Sequence, residues 1–408
     1  MATFSFFVLI TLLSVHLALS ADPPQISPSP TPKLTADSTP TISPSKPTAS
    51  LAPAPANAPH SSISSSSSLL PLDAAPASSP STSPSPPSQS PLVPCYFIFG
   101  DSINDNGNNN NRDTKIKATS PPYGINYPDD PTGRFTNGQN IADLIVEFLG
   151  FESRLAPYAN ATDEDIIRGL VNYASGGVGI LEETGKESIL GGNKALARSH
   201  LSKCLHHISL GNNDFSGNYF RPWQFSSSRK YNPELFANRL VETLTERIRT
   251  LYEYGARKVI LSGVTMIGRM PSALAHHPLR RSQCVEEYHI PVRIYNAKLK
   301  SLVDNFNRDY SDAKFIYVDD FSNLREIMDS PLSYGFAVTD QACCGIGKNH
   351  ASILCLPNFI PCKNRDQYVF WDSWHPTEAA SLVAVKRLFG NNARSFTYPI
   401  TILELAEL

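Results

Sequence analysis

The chain has 408 residues and a net charge of -2. That length allows one large folded domain with appendages, and the charge balance offers no cationic excess for nucleic acid or for anionic lipid. Past the N-terminus no apolar run approaches the roughly 20 residues that cross a bilayer, which argues against a stable membrane anchor.

Residues 1–20 run through Phe4, Phe6, Phe7, Val8, Leu9, Ile10, Leu12 and Leu13. They reach Ala18 and Ser20 at the small-residue spacing that signal peptidase accepts. This stretch reads as a secretory signal removed after Ser20. Residues 21–94 follow with 19 of the chain's 34 prolines and no Gly, Cys or aromatic residue. Such a segment buries too little apolar surface to offset its ordering entropy, so a disordered, polyproline II-biased arm is expected. Its Ser-Pro and Ala-Pro repeats resemble the O-glycosylated proline-rich arms of plant cell-wall proteins. That resemblance implies an extracellular address, with wall attachment and an inert spacer both open.

A folded domain is expected over residues 95–408, where apolar runs alternate with helical patterns as in a parallel sheet with crossover helices. The first predicted strand, 95–99, runs straight into Gly100-Asp101-Ser102. The end of a parallel strand is where open α/β sheets bind ligands. Ile141, Leu144, Ile145, Phe148 and Leu149 follow helical spacing and stop at Gly150. A strand at 205–210 ends in Gly211-Asn212-Asn213-Asp214. A longer helix starts with Asn232 as cap and Pro233 as first residue and ends at Gly255. Strands at 259–261 and 315–318 follow, and a final helix is predicted to start at Pro376, directly after His375.

All seven cysteines lie from Cys95 onward, four of them as Cys343, Cys344, Cys355 and Cys362. Adjacent cysteines in a secreted, loop-rich stretch suggest disulfides, with connectivity left open and an odd thiol remaining. Zinc ligation is not expected, because the C-x-x-C pairs it favours are absent. His206-His207 and His276-His277 also lack the spacing of a metal site and read as structural.

The chemistry rests on two short motifs. A serine hydroxyl attacks at neutral pH only if an imidazole takes its proton and a carboxylate orients that imidazole. Ser102 supplies the first, and Asp372 and His375, three residues apart on one turn, supply the others. Acyl transfer also needs donors for the oxyanion. The backbone of Ser102, the backbone N-H of Gly176 in Asn172-Tyr173-Ala174-Ser175-Gly176-Gly177, and the side chain of Asn213 are the candidates, with Gly177 a close rival of Gly176. Singly, each motif is better explained as a turn or a cap; in order, they are specific.

FGDSINDNGNNNN, NYASGGVGI, SLGNND and FWDSWHPTEA resemble the ordered blocks of the plant GDSL esterase/lipase family, within the SGNH hydrolases. PPYGINYPDDPTGRFTNG, YEYGARKVILSGV and the segment from Cys343 to Cys362 extend the likeness across 95–408. The arm resembles that of anther-specific proline-rich members. The resemblance implies a three-layer α/β/α, flavodoxin-like fold with a mostly parallel central sheet. It further implies Ser102 as nucleophile, His375 as general base and acid, Asp372 as its orienter, and Ser102, Gly176 and Asn213 around the oxyanion. No cofactor or metal is implied, and the partner is a small-molecule ester or lipid substrate. The absence of G-x-S-x-G argues against the α/β-hydrolase fold.

The chain departs from this pattern at three points. The stretch 181–204 is shorter than in relatives, Arg269 stands where relatives commonly carry the cysteine that partners Cys284, and Ile103 replaces the usual leucine of the motif. Asn160-Ala161-Thr162 is an N-glycosylation sequon. The leading expectation is a secreted serine esterase or lipase. The alternatives are a catalytically impaired wall protein and an acyltransferase that uses the same triad.

Overall fold

The computed structural model describes residues 90–128, 131–182, 184, 201–277 and 284–408. The expected signal, nearly all of the arm and most of the shortened segment lie outside the described residues. Just before Cys95 the Leu92 N-H donates to the Leu149 carbonyl at 3.0 Å, and Val93 is buried in the core.

Among the described residues nine strands occur in chain order. They are β1 (Tyr96–Gly100), β2 (Ala156–Pro157), β3 (Leu170–Asn172), β4 (Leu205–Ser209), β5 (Lys258–Ser262), β6 (Lys314–Val318), β7 (Val338–Ala342), β8 (Tyr368–Phe370) and β9 (Thr397–Tyr398). Seven of them form one sheet in the order β2-β3-β1-β4-β5-β6-β9, parallel throughout except for the antiparallel edge strand β9. The chain leaves β1 toward one edge of the sheet and crosses to the other side of β1 at β4. The C-terminal end of β1 is therefore a switch point of the kind that opens a crevice.

Both faces of the sheet are covered, which explains strands that read as continuous apolar runs. Alternate residues divide between the two sides. Val259, Leu261, Phe315 and Tyr317 pack with α2 (Pro233–Glu253) and α3 (Glu286–Asp309). Tyr96, Ile98, Ile260 and Ile316 pack with α1 (Ile141–Phe148), α5 (Glu378–Phe389) and α6 (Ile402–Glu407), while α4 (Asp320–Asp329) follows β6. This three-layer α/β/α arrangement is the architecture expected. The start signals act as anticipated: Asn232 accepts from the Leu235 N-H with Pro233 in the first turn, and Asn140 and Asp143 close a capping box at α1.

The helix after His375 departs from expectation. It begins at Glu378, capped by the Thr377 hydroxyl, and α6 follows it. Pro376 instead sits in a bridge to Phe370, and the His375 carbonyl accepts from the Trp371 N-H at 2.8 Å. A residue before proline is disfavoured in the helical region, so His375 lies outside the helix, which starts only once Thr377 can cap it.

Disulfides join Cys95 to Cys204, Cys343 to Cys362 and Cys344 to Cys355. The first ties the start of β1 to the start of β4. The other two staple the loop between β7 and β8, which form a separate two-stranded sheet.

Candidate active site

Gly100 ends β1 where space is short: a Cβ there would lie 3.1 Å from Asn104 Nδ2 and 3.3 Å from both the Ala174 Cβ and the Ser209 carbonyl oxygen. The next turn is pinned by buried Asp101, whose carboxylate accepts from the Ile103 N-H at 3.0 Å and from Asn212 Nδ2 at 3.3 Å. Ser102 stands at its apex. From the far end of the chain, β8 delivers a second turn, in which Asp372 Oδ1 accepts the Trp374 and His375 N-H groups, both at 2.9 Å. The turns meet. His375 Nε2 lies 2.7 Å from Ser102 Oγ, and His375 Nδ1 lies 2.8 Å from both Asp372 oxygens. With Asp372 ionised the Nδ1 proton faces the carboxylate, so Nε2 is left to accept the serine proton. Ser102 and His375 are each 8% exposed, enough for a substrate carbonyl to reach the serine.

The loop that follows Ser102 gathers the remaining candidates. Asn108 Nδ2 donates to the Asn172 and Ala174 carbonyls at 2.8 and 2.7 Å, which lays the 172–178 segment beside the Ser102 loop. Asp105 is fully buried and accepts three backbone N-H groups, from Gly107 and Asn108 at 2.7 Å and from Gly176 at 2.8 Å. The Gly176 N-H is thus committed to Asp105, while that of Gly177 makes no hydrogen bond among the described residues. Gly177 has a φ of 84°, and a Cβ there would come within 2.5 Å of Ile116. Asn213 directs one amide hydrogen to the Val178 carbonyl at 3.0 Å, which leaves the other for a ligand. Beside it, Asp214 accepts the Ile180 and Leu181 N-H groups and locks the two segments together.

Residues 96–388 match the family of GDSL-like lipases and acylhydrolases. The chain belongs to that family, whose members hydrolyse ester bonds. A GDSL esterase/lipase of Arabidopsis thaliana is 44% identical over 341 residues, covering 78% of this chain and 93% of its own length. Another from the same plant is 43% identical over 340 residues, covering 78% and 94%. The sheet and flanking helices are the GDSL/SGNH hydrolase fold. An acetylxylan esterase from Geobacillus stearothermophilus aligns over 72% of this chain and 93% of its own at 15% identity, with a TM-score of 0.33, too slight a likeness to add to that assignment.

Two aromatic residues adjoin the candidate site, both from the PPYGINYPDDPTGRFTNG stretch, in which neither was singled out as a site residue. The Tyr123 hydroxyl donates to Asp372 Oδ2 at 2.8 Å, and the Phe135 ring lies 5.1 Å from the His375 ring. Burial pushes the Asp372 carboxyl up, but the His375 charge and the hydrogen bonds from His375 and Trp374 outweigh it and hold the group below its ordinary value. Tyr123 contributes a fourth donor to that carboxylate. Tyr123→Phe is therefore expected to lower kcat/KM by about tenfold, the effect of roughly 1.5 kcal/mol for a hydrogen bond to a charged group. The loss should grow at acid pH, where a less stabilised Asp372 protonates sooner. A pH-rate profile that falls by the same factor at every pH would assign Tyr123 a packing role only.

The buried titratable groups oppose one another. Burial holds His206 and His207 down to about 4, so between about 6.5 and 4 the unfolded chain binds protons that these rings refuse, and stability is lost as pH falls. Burial pushes Asp105 and Asp214 up to about 6 and Asp320 up to about 7, so over nearly the same range the folded chain takes protons first and stability is gained. Three aspartates against two histidines predict a Tm at pH 5 equal to or slightly above that at pH 7.5. A Tm that declines steadily from pH 6.5 in calorimetry would show the histidines prevailing.

His207 and His277 are engaged by protein groups, whereas the buried His206 Nδ1 has no hydrogen-bond partner among the described residues. His207 bridges the Tyr96 hydroxyl at 2.7 Å and Ser262 Oγ at 2.9 Å, and His277 pairs with Glu287. Cys284, outside the three disulfides, sits beside Arg269, the residue that replaces its expected partner. Cys284, Glu286 and His289 lie close enough to hold a cation, but their chemistry opposes it. His289 Nε2 accepts the Gly268 N-H at 3.1 Å, so its proton sits on Nδ1 facing Glu286, and ligation there would require an imidazolate.

Proposed function

We propose that this chain is a secreted serine esterase that cleaves carboxylic esters, lipid esters among them, through Ser102, His375 and Asp372. The reading rests on one observation, the continuous hydrogen-bonded line from Ser102 Oγ through the His375 ring to Asp372. Ser102 Oγ attacks the carbonyl carbon as its proton passes to His375 Nε2. The carbonyl oxygen becomes an oxyanion, bound by the Ser102 N-H, the Asn213 amide and a glycine N-H. Gly177 is favoured over Gly176 for the last role, because Asp105 already occupies the Gly176 donor. Each such donor is worth about 3 kcal/mol of barrier. The intermediate collapses, the ester oxygen leaves with the proton from His375, and an acyl-serine remains. Water, deprotonated by the same Nε2, then releases the carboxylic acid and restores Ser102.

An extracellular address is supported by the leader-like residues 1–20, by three disulfides and by the exposed sequon residue Asn160, which the proposal takes as glycosylated. No helix among the described residues is long and apolar enough to cross a membrane. Attachment to the cell wall through residues 21–94 belongs to the same proposal. A fluorophosphonate probe tests the central claim, because only an activated serine reacts. Labelling of Ser102 together with hydrolysis of a soluble aryl ester is expected, and would also show that the shortened 181–204 stretch is compatible with turnover. Absence of labelling would favour a wall-associated binding protein, and acyl transfer to an added alcohol in preference to water would reassign the chain as a transferase.

A further inference from the structure

The stapled loop between β7 and β8 carries an apolar surface that the catalytic reading does not use. Ile346, Ile353, Leu354, Leu356 and Ile360 are 40%, 49%, 51%, 46% and 86% exposed, five aliphatic side chains within fifteen residues. They are not exposed through looseness. Cys344–Cys355 and Cys343–Cys362 close the loop, and Ile346 and Ile353 face each other across an antiparallel bridge. Single exposed aliphatics are ordinary on a protein surface, but a clustered and rigid set marks a contact surface.

Charge identifies the occupant. Between Cys343 and Arg365 there is no Asp or Glu, the first acid being Asp366, while Lys348 and Lys363 are exposed, Lys348 Nζ also donating to the His277 carbonyl at 3.3 Å. The overall charge of -2 thus conceals a local acid-free stretch that exposes lysines and aliphatic side chains together. Aliphatic side chains that enter the acyl boundary, beside lysines that meet anionic headgroups, are the two components of interfacial binding. We propose that this loop docks the enzyme on lipid aggregates that carry anionic headgroups.

The loop is built into the same piece of structure as the triad. The Cys343 and Cys344 N-H groups donate to the Phe370 and Trp371 carbonyls at 3.0 and 2.7 Å, immediately before Asp372. The Asn358 N-H donates to the Pro121 carbonyl at 2.7 Å, and nearby Tyr123 packs edge-on against Trp371 and holds Asp372. A lipid surface seated on the loop is therefore held against the framework that orients His375. The activity part of this proposal rests on the esterase reading; the binding part does not.

Co-sedimentation of the full chain with vesicles of equal phosphatidylglycerol and phosphatidylcholine, against pure phosphatidylcholine vesicles, tests it. Wild type and Ser102→Ala should both sediment with the anionic vesicles. Leu354→Asp with Ile360→Asp, and separately Lys348→Glu with Lys363→Glu, should each weaken binding by about tenfold or more while hydrolysis of a soluble aryl ester stays unchanged. Wild type that remains in the supernatant, variants that sediment like wild type, or equal binding to neutral vesicles would each overturn the proposal. If the aspartate pair misfolds, shown by loss of soluble activity, the lysine pair carries the test. A chain that binds vesicles but hydrolyses nothing would overturn the esterase reading and leave the docking surface standing.

Discussion

Ser102→Ala is expected to lower kcat on a soluble ester by on the order of 10⁶-fold, with His375→Ala close behind and the double variant no slower than either alone. The reason lies in the 2.7 Å contact between Ser102 Oγ and His375 Nε2. On the proposed mechanism Ser102 and His375 act as one unit, so that either without the other leaves only binding and oxyanion stabilisation, typically a residual 10³ to 10⁴ over water. Asp372→Asn is expected to cost less, on the order of 10⁴-fold, because the imidazole then loses its tautomer preference but keeps its place. Asp372→Ala should be worse than Asp372→Asn, since Asp372 Oδ1 also accepts the Trp374 and His375 N-H groups that shape the turn. Single-turnover and steady-state kinetics on purified variants check the series. Wild-type rates from Ser102→Ala, or losses that multiply in the double variant, would remove Ser102 and His375 from the chemistry.

The strands and long helices were legible because their signals are local. Val259-Ile260-Leu261 and the Asn232-Pro233 start carry their own instructions in burial pattern and capping chemistry. Block order placed Ser102 and His375 in one site although 273 residues separate them. Contacts that no motif encodes were not legible. Tyr123 reaches Asp372 across 249 residues, and although PPYGINYPDDPTGRFTNG carries part of the family likeness, nothing in that stretch says that its tyrosine meets this carboxylate. The choice between Gly176 and Gly177 was equally hidden, because it depends on which N-H the buried Asp105 carboxylate takes. The last long helix was placed two residues early because proline suits a first turn, while the pairing of Pro376 with Phe370 that overrides that preference comes from a separate strand. Net charge misled in the same way. A sum over the whole chain says nothing about the acid-free stretch from Cys343 to Arg365.

Arg134→Met is expected to destabilise the fold by about 3–5 kcal/mol, which at about 2 °C per kcal/mol for a domain of this size lowers Tm by roughly 6–10 °C. Arg134 meets Asp143 through two parallel bonds, Nε to Oδ2 and Nη2 to Oδ1, both at 2.7 Å, and each side chain is only 6% exposed. Removing the guanidinium leaves a carboxylate buried without its countercharge, and the cost is the desolvation of that charge more than the loss of an attraction. Asp143 keeps its bonds from Asn106 Nδ2 at 3.1 Å and from the Asn140 N-H at 3.0 Å, which places the effect toward the lower end of the range. Arg134→Lys should recover only part of the loss, since an ammonium cannot make the paired contact or stack on Tyr127, whose ring centre lies 4.4 Å from the guanidinium carbon. Arg134→Met combined with Asp143→Asn should be more stable than Arg134→Met alone, because the stranded charge is gone. Because Asn106 lies on the loop after Ser102, the single variant should lose activity at temperatures well below its unfolding, and the double variant should regain some of it. Urea titrations in which Arg134→Met falls within 1 kcal/mol of wild type, or in which the double variant is the less stable of the two, would show that burial of this charge does not govern the stability of the segment that carries Ser102.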